Sequence, residues 1–329
     1  MKKLLNKKNI ISIIIAALVY GLITYLVSSG TLSRHYQSLL VPVGVNIILA
    51  VSLNLTVGFL GELTLGHAGF MSVGAYVGCI FTVYADLPVY VEFPIALLIG
   101  GIVAALFGII IGIPALRLKG DYLAIVTLAF GEIIRSVFTN LEITGGAGGL
   151  KGIDKTSNYT IVFVVALITI IFISNLVNSR HGRAICSIRD NIIASESVGI
   201  NVVYHKLLAF VVAAFFAGVA GVLYGHNLGI LKPSTFDFNK SIEILVIVVL
   251  GGMGSIVGSI VSATVITILP EVLRGLADYR MLIYAVVLIV MMILNSSPKF
   301  NEFKGSLVDK FRKNKCLNKG GESNVNVRS

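Results

Sequence analysis

The chain has few charged residues and few cysteines for its length of 329 residues. Asp, Glu, Lys and Arg make up 13% of the sequence, whereas soluble globular proteins carry roughly 25%. This scarcity excludes a soluble enzyme, a disordered protein and a nucleic-acid-binding domain, so no nucleic-acid partner is expected. The three cysteines, Cys79, Cys186 and Cys316, lie in unlike surroundings and lack the spacing of a disulfide framework or a metal site. We therefore expect three unpaired thiols and no metal.

The sequence also lacks the short motifs of common catalytic sites. It contains no G-x-x-x-x-G-K-[ST], no H-E-x-x-H and no G-x-S-x-G. The five histidines are scattered without ligand spacing, and we interpret His67 as a hydrogen-bonded residue at a helix end. No catalytic residue and no cofactor are expected on this chain.

Long apolar runs are abundant, since 56% of the residues are hydrophobic. A membrane-spanning helix needs about 20 predominantly apolar residues, and a transmembrane barrel would show short alternating segments instead. The runs here are continuous, so we predict an all-α, polytopic transmembrane helical bundle with eight to ten helices. Nine segments qualify: 10–27, 39–59, 63–85, 93–116, 122–139, 159–177, 207–225, 242–269 and 281–295.

The net charge of +10 predicts the orientation, because basic residues concentrate in cytoplasmic loops. With the N-terminus inside, 18 of the 26 basic residues fall on the cytoplasmic side. We predict that both termini are cytoplasmic in a bacterial plasma membrane protein. The predicted organisation is an N-terminal segment with the first span (1–38), a core (39–296) and a basic, disordered tail (297–329).

Two cytoplasmic termini require an even number of crossings, so one of the nine segments must be irregular. Segment 242–269 is too long for one span, and it is interrupted by a turn of small residues. Broken helices are tolerated at membrane depth where they are buried in protein or line a cavity. We therefore predict a re-entrant or broken pair of helices around Gly251, Gly252, Gly254 and Ser255.

Small residues also recur four apart in two other segments, which places them on one helix face. Such stripes let helix backbones approach closely. Helix packing is the interpretation we favour, and lining of a translocation path is the alternative. The stripes are Gly100, Ala104, Gly108 and Gly112 in one segment, and Ala213, Ala217, Gly221 and Gly225 in the other.

One charged pair, Glu132 and Arg135, lies within a predicted span. The two residues are three apart, on one helix face, and Glu132 lies roughly 16 Å along the helix from Asp121. That depth is close to the bilayer centre, where a lone charge costs at least ~2.5–3.5 kcal/mol. We expect both side chains to face the bundle interior. They form either a structural ion pair between helices or part of the transport path.

A glycine-rich stretch follows the span that holds this pair. It contains Gly145, Gly146, Gly148 and Gly149 and falls on the predicted outer side. Its composition predicts a flexible external loop, and docking or gating by an external partner is the alternative.

Residues 178–206 form the longest cytoplasmic connection between predicted spans. Helix-forming residues with apolar positions at Ile185, Ile188, Ile192, Ile193 and Val198 predict a pair of short amphipathic helices, and Gly199 is typical of a helix stop. We interpret this segment as a protein-docking surface, and an ordinary solvated loop as the alternative.

Several stretches resemble one known family. They are similar to the permeases of branched-chain amino acid ABC importers. The matching stretches are residues 182–200, 120–135, 54–58 leading into 65–70, the 251–255 turn and residues 144–153. The resemblance covers roughly residues 40–295 and is to the M-type permease subunit, within a family similar to the cobalamin-type importer permeases. Segment 178–206 corresponds to the coupling loop of ABC importer permeases. The matching positions are Gly182, Arg183, Ile188, Arg189, Asp190, Ala194, Glu196 and Gly199.

The resemblance implies the partners and the substrate. A second related permease would complete the pore, and two ATPase subunits would bind the coupling loops and carry the ATP. An extracytoplasmic binding protein would deliver leucine, isoleucine or valine, and lipid would surround the bundle. Urea, other amides or other amino acids are alternative substrates. An ion-coupled secondary transporter is the rival class, which the long docking segment disfavours, and a receptor or structural protein is less favoured still.

Overall fold

The computed structural model describes residues 33–85, 87–115, 118 and 120–272, together with 18, 20–22, 24–29, 285, 286 and 289. Within these residues the secondary structure is helical, apart from one isolated bridge between Leu150 and Leu231. The predicted all-α class is therefore confirmed. The α-helices are α1 (Arg34–Asn54), α2 (His67–Tyr84), α3 (Val89–Ala115), α4 (Asp121–Asn140), α5 (Tyr159–Val177), α6 (Arg180–Asp190), α7 (Ile192–Ser197), α8 (Val202–Leu228), α9 (Phe238–Gly251) and α10 (Ile256–Val272). A π-helix, Leu55–Leu60, continues α1.

Six helices in the described part are long and apolar enough to cross a membrane: Tyr36–Leu60, His67–Tyr84, Val89–Ala115, Asp121–Asn140, Tyr159–Val177 and Val202–Leu228. They coincide with six of the nine predicted segments. The predicted first span, 10–27, is described only in part. The basic N-terminus, most of segment 281–295 and the predicted tail 297–329 lie outside the described residues.

Helices α2, α3 and α8 pack with their backbones close together through the predicted small-residue stripes. A side chain on Gly221 would overlap the carbonyl oxygen of Met71, and one on Gly218 would meet Ala104 and Gly100. Gly108 faces Ala214 in the same way. These glycines are required because any Cβ would separate the helices. We call the contacts among α2, α3 and α8 the glycine-packed core, and they confirm the packing role of the stripes.

The predicted break in segment 242–269 is observed. Helix α9 ends at Gly251 and α10 begins at Ile256. Asn46 of α1 bonds to Lys240 at the start of α9 and to Thr267 near the end of α10. Eight residues further along α1, Asn54 bonds to Gly254 and Ser259. The two short helices therefore run antiparallel to each other along α1.

Residues 1–271 form one compact unit, and residues 272–329 form a second. The first unit holds all the contacts described below. Of the second unit, the structure describes Val272 and the helical residues Ala285, Val286 and Ile289, whose side chains are exposed.

Candidate functional site

The segment between α5 and α8 forms the predicted helix pair. A polar side chain caps each helix start: Ser179 accepts from the Gly182 amide before α6, Asn191 from the Ala194 amide before α7, and Asn201 from the Tyr204 amide before α8. Such caps are encoded locally, because a Ser or Asn oxygen satisfies one of the amides left free in the first helical turn. The sequence thus specifies all three starts, and with them the sharp path of residues 178–201.

Two glycines shape this segment. Gly182 lies where the chain turns from α5 into α6, and a Cβ there would overlap the carbonyl oxygens of Val177 and Leu176. Gly199 follows α7 with φ of 86°, a left-handed conformation that only glycine adopts without strain. The predicted helix stop at Gly199 is therefore confirmed.

The apolar residues of the pair do not all face outward, so the predicted docking surface does not include every one of the five apolar positions. Ile185 and Ile188 of α6 are buried against Leu55, Leu60 and Ala209 of the same chain. They turn inward because the π-helix and the start of α8 offer an apolar surface directly beneath α6. Ile193 and Val198, each 80% exposed, remain available for a partner.

Arg189 reaches from α6 to the π-helix that continues α1. Its Nη1 donates to the carbonyl oxygen of Gly58 at 3.2 Å, and its Nε and Nη2 donate to Asp190 Oδ1 at 3.1 and 3.0 Å. Its aliphatic stem lies against Gly61, where φ is 80°. Arg189 therefore contacts its own chain across a long sequence separation, whereas Arg183 bonds only to the nearby Asn178 carbonyl. Glu196 is exposed.

A buried ion pair lies beside this contact. Lys206, near the start of α8 and 5% exposed, donates to Glu62 in the connection between α1 and α2. The sequence alone does not identify this pair, because Lys206 is one of many basic residues in the predicted cytoplasmic segments. The signal that could indicate it is the presence of two opposite charges at predicted span ends on the same side.

The helix break contacts the same region. The backbone amide of Gly254 donates to Asn54 Oδ1 at 2.9 Å, and Asn54 Nδ2 donates to Ser259 at 3.0 Å. Gly254 also lies directly against Gly58, and the amide of Gly258 donates to Ser255 Oγ at 3.1 Å. Gly252 and Gly254 have φ of 88° and 81°. Gly251, predicted as part of the turn, is the last residue of α9 and packs on Gly258.

These contacts join segment 178–206, the predicted docking surface, to the helix break through a short series of neighbouring residues. Arg189 holds Gly58, Gly58 contacts Gly254, and Gly254 is bonded to Asn54. The structure therefore connects α6 to the α9–α10 turn through the π-helix, a type of distortion frequently found at functional sites. We call this group the polar cluster: Asn54, Gly58, Glu62, Arg189, Lys206 and Gly254.

Glu132 and Arg135 are bonded to each other, within α4 and not between helices. Arg135 Nη2 lies 2.6 Å and Nε 2.8 Å from Glu132 Oε2. Their side chains are 34% and 38% exposed, respectively, so they are not buried inside this chain as expected. The reason is that α4 packs through its opposite side, where Leu123, Thr127 and Ile134 are buried.

The glycine-rich loop is attached at one end. Two short 3-10 turns, Glu142–Thr144 and Gly146–Gly148, are followed by Gly149 with φ of 82°. Leu150 and Leu231 then exchange two backbone hydrogen bonds of 2.9 and 3.0 Å. Docking or gating by Gly145, Gly146, Gly148 and Gly149 stays a prediction.

His67 is the first residue of α2, and its Nε2 lies 2.9 Å from Ser52 Oγ, which confirms its interpretation as a hydrogen-bonded helix-end residue. Cys79 and Cys186 are free thiols, and burial raises the pKa of the Cys186 thiol. Cys316 lies outside the described residues. No group of three potential metal ligands occurs in the part of the chain that the structure describes.

A protein-family model described as "Branched-chain amino acid transport system / permease component" matches residues 35–294. The high-affinity branched-chain amino acid transport system permease protein LivM of Escherichia coli is 35% identical over 304 residues, covering 82% of this chain and 69% of LivM. LivM of Salmonella typhimurium is 36% identical over 282 residues, covering 75% of this chain and 65% of that protein. The permease protein LivH of Escherichia coli is 27% identical over 134 residues, 40% of this chain and 43% of LivH. No solved structure matches the chain.

Proposed function

Since the chain belongs to the family of permease components of branched-chain amino acid transport systems, we propose that it is a membrane-spanning permease subunit of an ATP-binding cassette importer. Its substrates are the branched-chain amino acids leucine, isoleucine and valine, the class of substrate for which the LivM relatives are named. The chain itself performs no covalent chemistry. ATP is bound and hydrolysed on separate ATPase subunits.

The observation that carries this proposal is the helix pair α6–α7. Its buried half, Ile185 and Ile188, anchors it to the permease, while Ile193, Val198 and Glu196 lie exposed at the other end. An exposed apolar residue beside charges is typical of a short helix that inserts into a partner's groove. A secondary transporter would need no such surface.

The polar cluster explains how a movement of this surface reaches the membrane. A shift of α6 displaces Arg189, which is bonded to Gly58, and Gly58 lies against the α9–α10 turn. ATP binding on the partner would thereby favour one orientation of the permease over the other. A ligand shifts such an equilibrium only through its different affinities for the two states.

A second permease is the expected neighbour of this chain, because the similarity extends to LivH as well as LivM. Two related permeases then enclose the path between them, and an extracytoplasmic binding protein delivers the amino acid. With both termini in the cytoplasm, the helix pair α6–α7 faces the ATPases.

Affinity purification of the tagged chain, co-expressed with its neighbouring transport genes, tests the proposal. We expect two ATPase subunits and a second permease to co-purify. A cysteine at Glu196 should crosslink to an ATPase, and a cysteine at Ile168, an exposed residue in the middle of α5, should not.

Replacing Ile193 with Ser removes only an exposed contact and should weaken ATPase binding without unfolding the permease. Replacing Ile168 with Ser is the matched control. A complex that assembles and imports normally after α7 is replaced by a Gly/Ser linker would contradict the docking role.

A further inference from the structure

The membrane-spanning helices differ in what they expose. The exposed residues of α5 include Val164, Ile168 and Phe172, and those of α3 include Leu98, Ile102 and Leu106, four residues apart in both cases. Such continuous apolar stripes suit contact with lipid. The exposed faces of α3 and α5 are therefore accounted for by the bilayer itself.

Helix α4 exposes a polar stripe in the half that leads to the glycine-rich loop. Glu132, Ser136 and Asn140 follow one another at four-residue spacing, and the side chain of Arg135 joins them through its ion pair. Charged groups in spanning helices face a protein interior or a water-filled cavity, because hydrocarbon cannot solvate them. This face of α4 therefore does not lie against lipid.

The ion pair has bonding capacity left over. It uses only Oε2 of the Glu132 carboxylate and the Nε and Nη2 of the Arg135 guanidinium. A carboxylate has a second acceptor oxygen, and a guanidinium has five donor hydrogens in a fixed arrangement. Oε1 of Glu132 and Nη1 of Arg135 can therefore accept from and donate to a further ligand without breaking the pair.

A shallow, open depression adjoins this stripe at Ser136 and Asn140. It has a volume of about 400 Å³, and its other lining residues are Ile133, Val137 and Leu141. Glu132 and Arg135 do not line it, so a contact with the ion pair would be made on the exposed face of α4 itself.

We propose that this face of α4 lines the translocation path and that Glu132 and Arg135 contact the two charged groups of a passing zwitterionic amino acid. Glu132 accepts hydrogen bonds from the ammonium group, and Arg135 donates to the carboxylate. Charge-assisted hydrogen bonds of this kind are stronger than neutral ones. The inference rests on the proposed function and adds the residues that recognise the substrate.

Thiol labelling of the assembled complex tests whether this face of α4 is accessible to water. Ser136→Cys and Asn140→Cys are compared with Ile168→Cys on α5, in a chain whose native cysteines are replaced by serine. A charged, membrane-impermeant methanethiosulfonate is the probe. We expect labelling at positions 136 and 140 with loss of leucine uptake, and no labelling at position 168.

Labelling at 136 and 140 in the isolated chain but not in the complex would mean that the second permease covers the face, which would overturn the proposal. An absence of labelling at all three positions would mean a face closed to water and would overturn it too. If the complex without substitutions fails to import leucine with ATP, the proposed function fails, whatever the labelling shows.

Exchanging the charges of Glu132 and Arg135 distinguishes a role in substrate recognition from a purely structural role of the ion pair. We expect Glu132→Gln and Arg135→Gln each to lower the rate of leucine uptake at saturating loaded binding protein about tenfold or more, the loss of one charged contact. The double exchange Glu132→Arg with Arg135→Glu restores an ion pair but reverses its order along the path. If the pair contacts the substrate, uptake by the exchanged complex stays impaired at normal assembly. Recovery of uptake by the exchange would assign the pair a structural role and overturn the proposal.

Discussion

The glycine-packed core and the polar cluster hold helices together in opposite ways. In the core, Gly218, Gly221 and Gly108 let α2, α3 and α8 touch along their backbones. In the polar cluster, Asn54, Arg189 and the Glu62–Lys206 pair join α1, α6, α8 and the helix break through individual hydrogen bonds. Backbone contact is lost entirely when helices separate, whereas a polar group can exchange one partner for another.

This difference assigns the two regions different roles. Close-packed interiors transmit strain and resist continuous deformation, so the glycine-packed core is suited to be the rigid scaffold. The polar cluster is held by individual hydrogen bonds, and it connects segment 178–206 to the α9–α10 turn. We expect substitutions in the core to abolish the folded protein. In the cluster, breaking the buried Glu62–Lys206 pair should cost stability, whereas substitutions of Asn54 and Arg189 should affect mainly the coupling of ATP hydrolysis to import.

The largest effect is expected from Gly221→Leu. The new side chain would overlap the Met71 carbonyl and force α8 away from α2, which we expect to destabilise the protein by more than about 4 kcal/mol. The amount of monodisperse protein after detergent extraction measures the loss. Gly21→Leu is the control, because that helical glycine has open space around it. Normal yield of Gly221→Leu would show that the core is not rigid.

The next largest effect is expected at Lys206. Lys206→Met leaves the Glu62 carboxylate buried without its partner, and breaking a buried pair on one side costs about 3–5 kcal/mol. Glu62→Gln combined with Lys206→Met removes both charges and should recover much of that stability. Thermal unfolding of the purified variants measures both. Equal losses in the single and double variants would mean that the pair is not energetically coupled.

A smaller change in stability, but a clear change in coupling, is expected for Asn54→Leu. It strands the Gly254 amide at a cost of about 1–3 kcal/mol, and it frees the helix break from α1. The Ser259 hydroxyl loses Asn54 but keeps its bond to the Ser255 carbonyl. We expect the complex to assemble and hydrolyse ATP while importing less leucine per ATP. Ser259→Ala removes only one of the two bonds and should have the weaker effect. If Asn54→Leu imports the same amount of leucine per ATP as the unchanged protein, the helix break does not take part in coupling.

The smallest effect is expected for Arg189→Gln. Its side chain is 41% exposed, so stability should change by less than about 1 kcal/mol. The lost bond to Gly58 should lower the ratio of leucine imported to ATP hydrolysed. Arg183→Gln is the control, since Arg183 bonds only to the nearby Asn178 carbonyl. If both variants show the same ratio as the unchanged protein, Arg189 does not transmit the motion.

Much of this architecture is encoded locally and is predictable. Span positions follow from apolar runs, the break at 252–255 from its glycines, and the starts of α6, α7 and α8 from Ser179, Asn191 and Asn201. Long-range partners are not encoded in this way. Which face of α6 is buried depends on the apolar surface that Leu55 and Leu60 present. Nothing near Glu62 in the sequence indicates that Lys206, far along the chain, is its partner.

The exposure of Glu132 and Arg135 is a second feature that depends on long-range packing and that the sequence does not predict. Their depth in the span is readable from their distance to Asp121, and their pairing from the three-residue spacing. Which side of α4 packs on the rest of the chain depends on the fit of Leu123, Thr127 and Ile134 against neighbouring helices. Periodicity alone does not distinguish a face turned toward this chain from a face turned toward a path.

Uptake of labelled leucine by liposomes containing the purified complex tests the central claim most directly. The account predicts that uptake requires ATP in the lumen and the binding protein outside, continues when ionophores collapse all ion gradients, and stops when α7 is replaced by a Gly/Ser linker. Leucine uptake by this chain alone, driven by an ion gradient and independent of ATP, would contradict it.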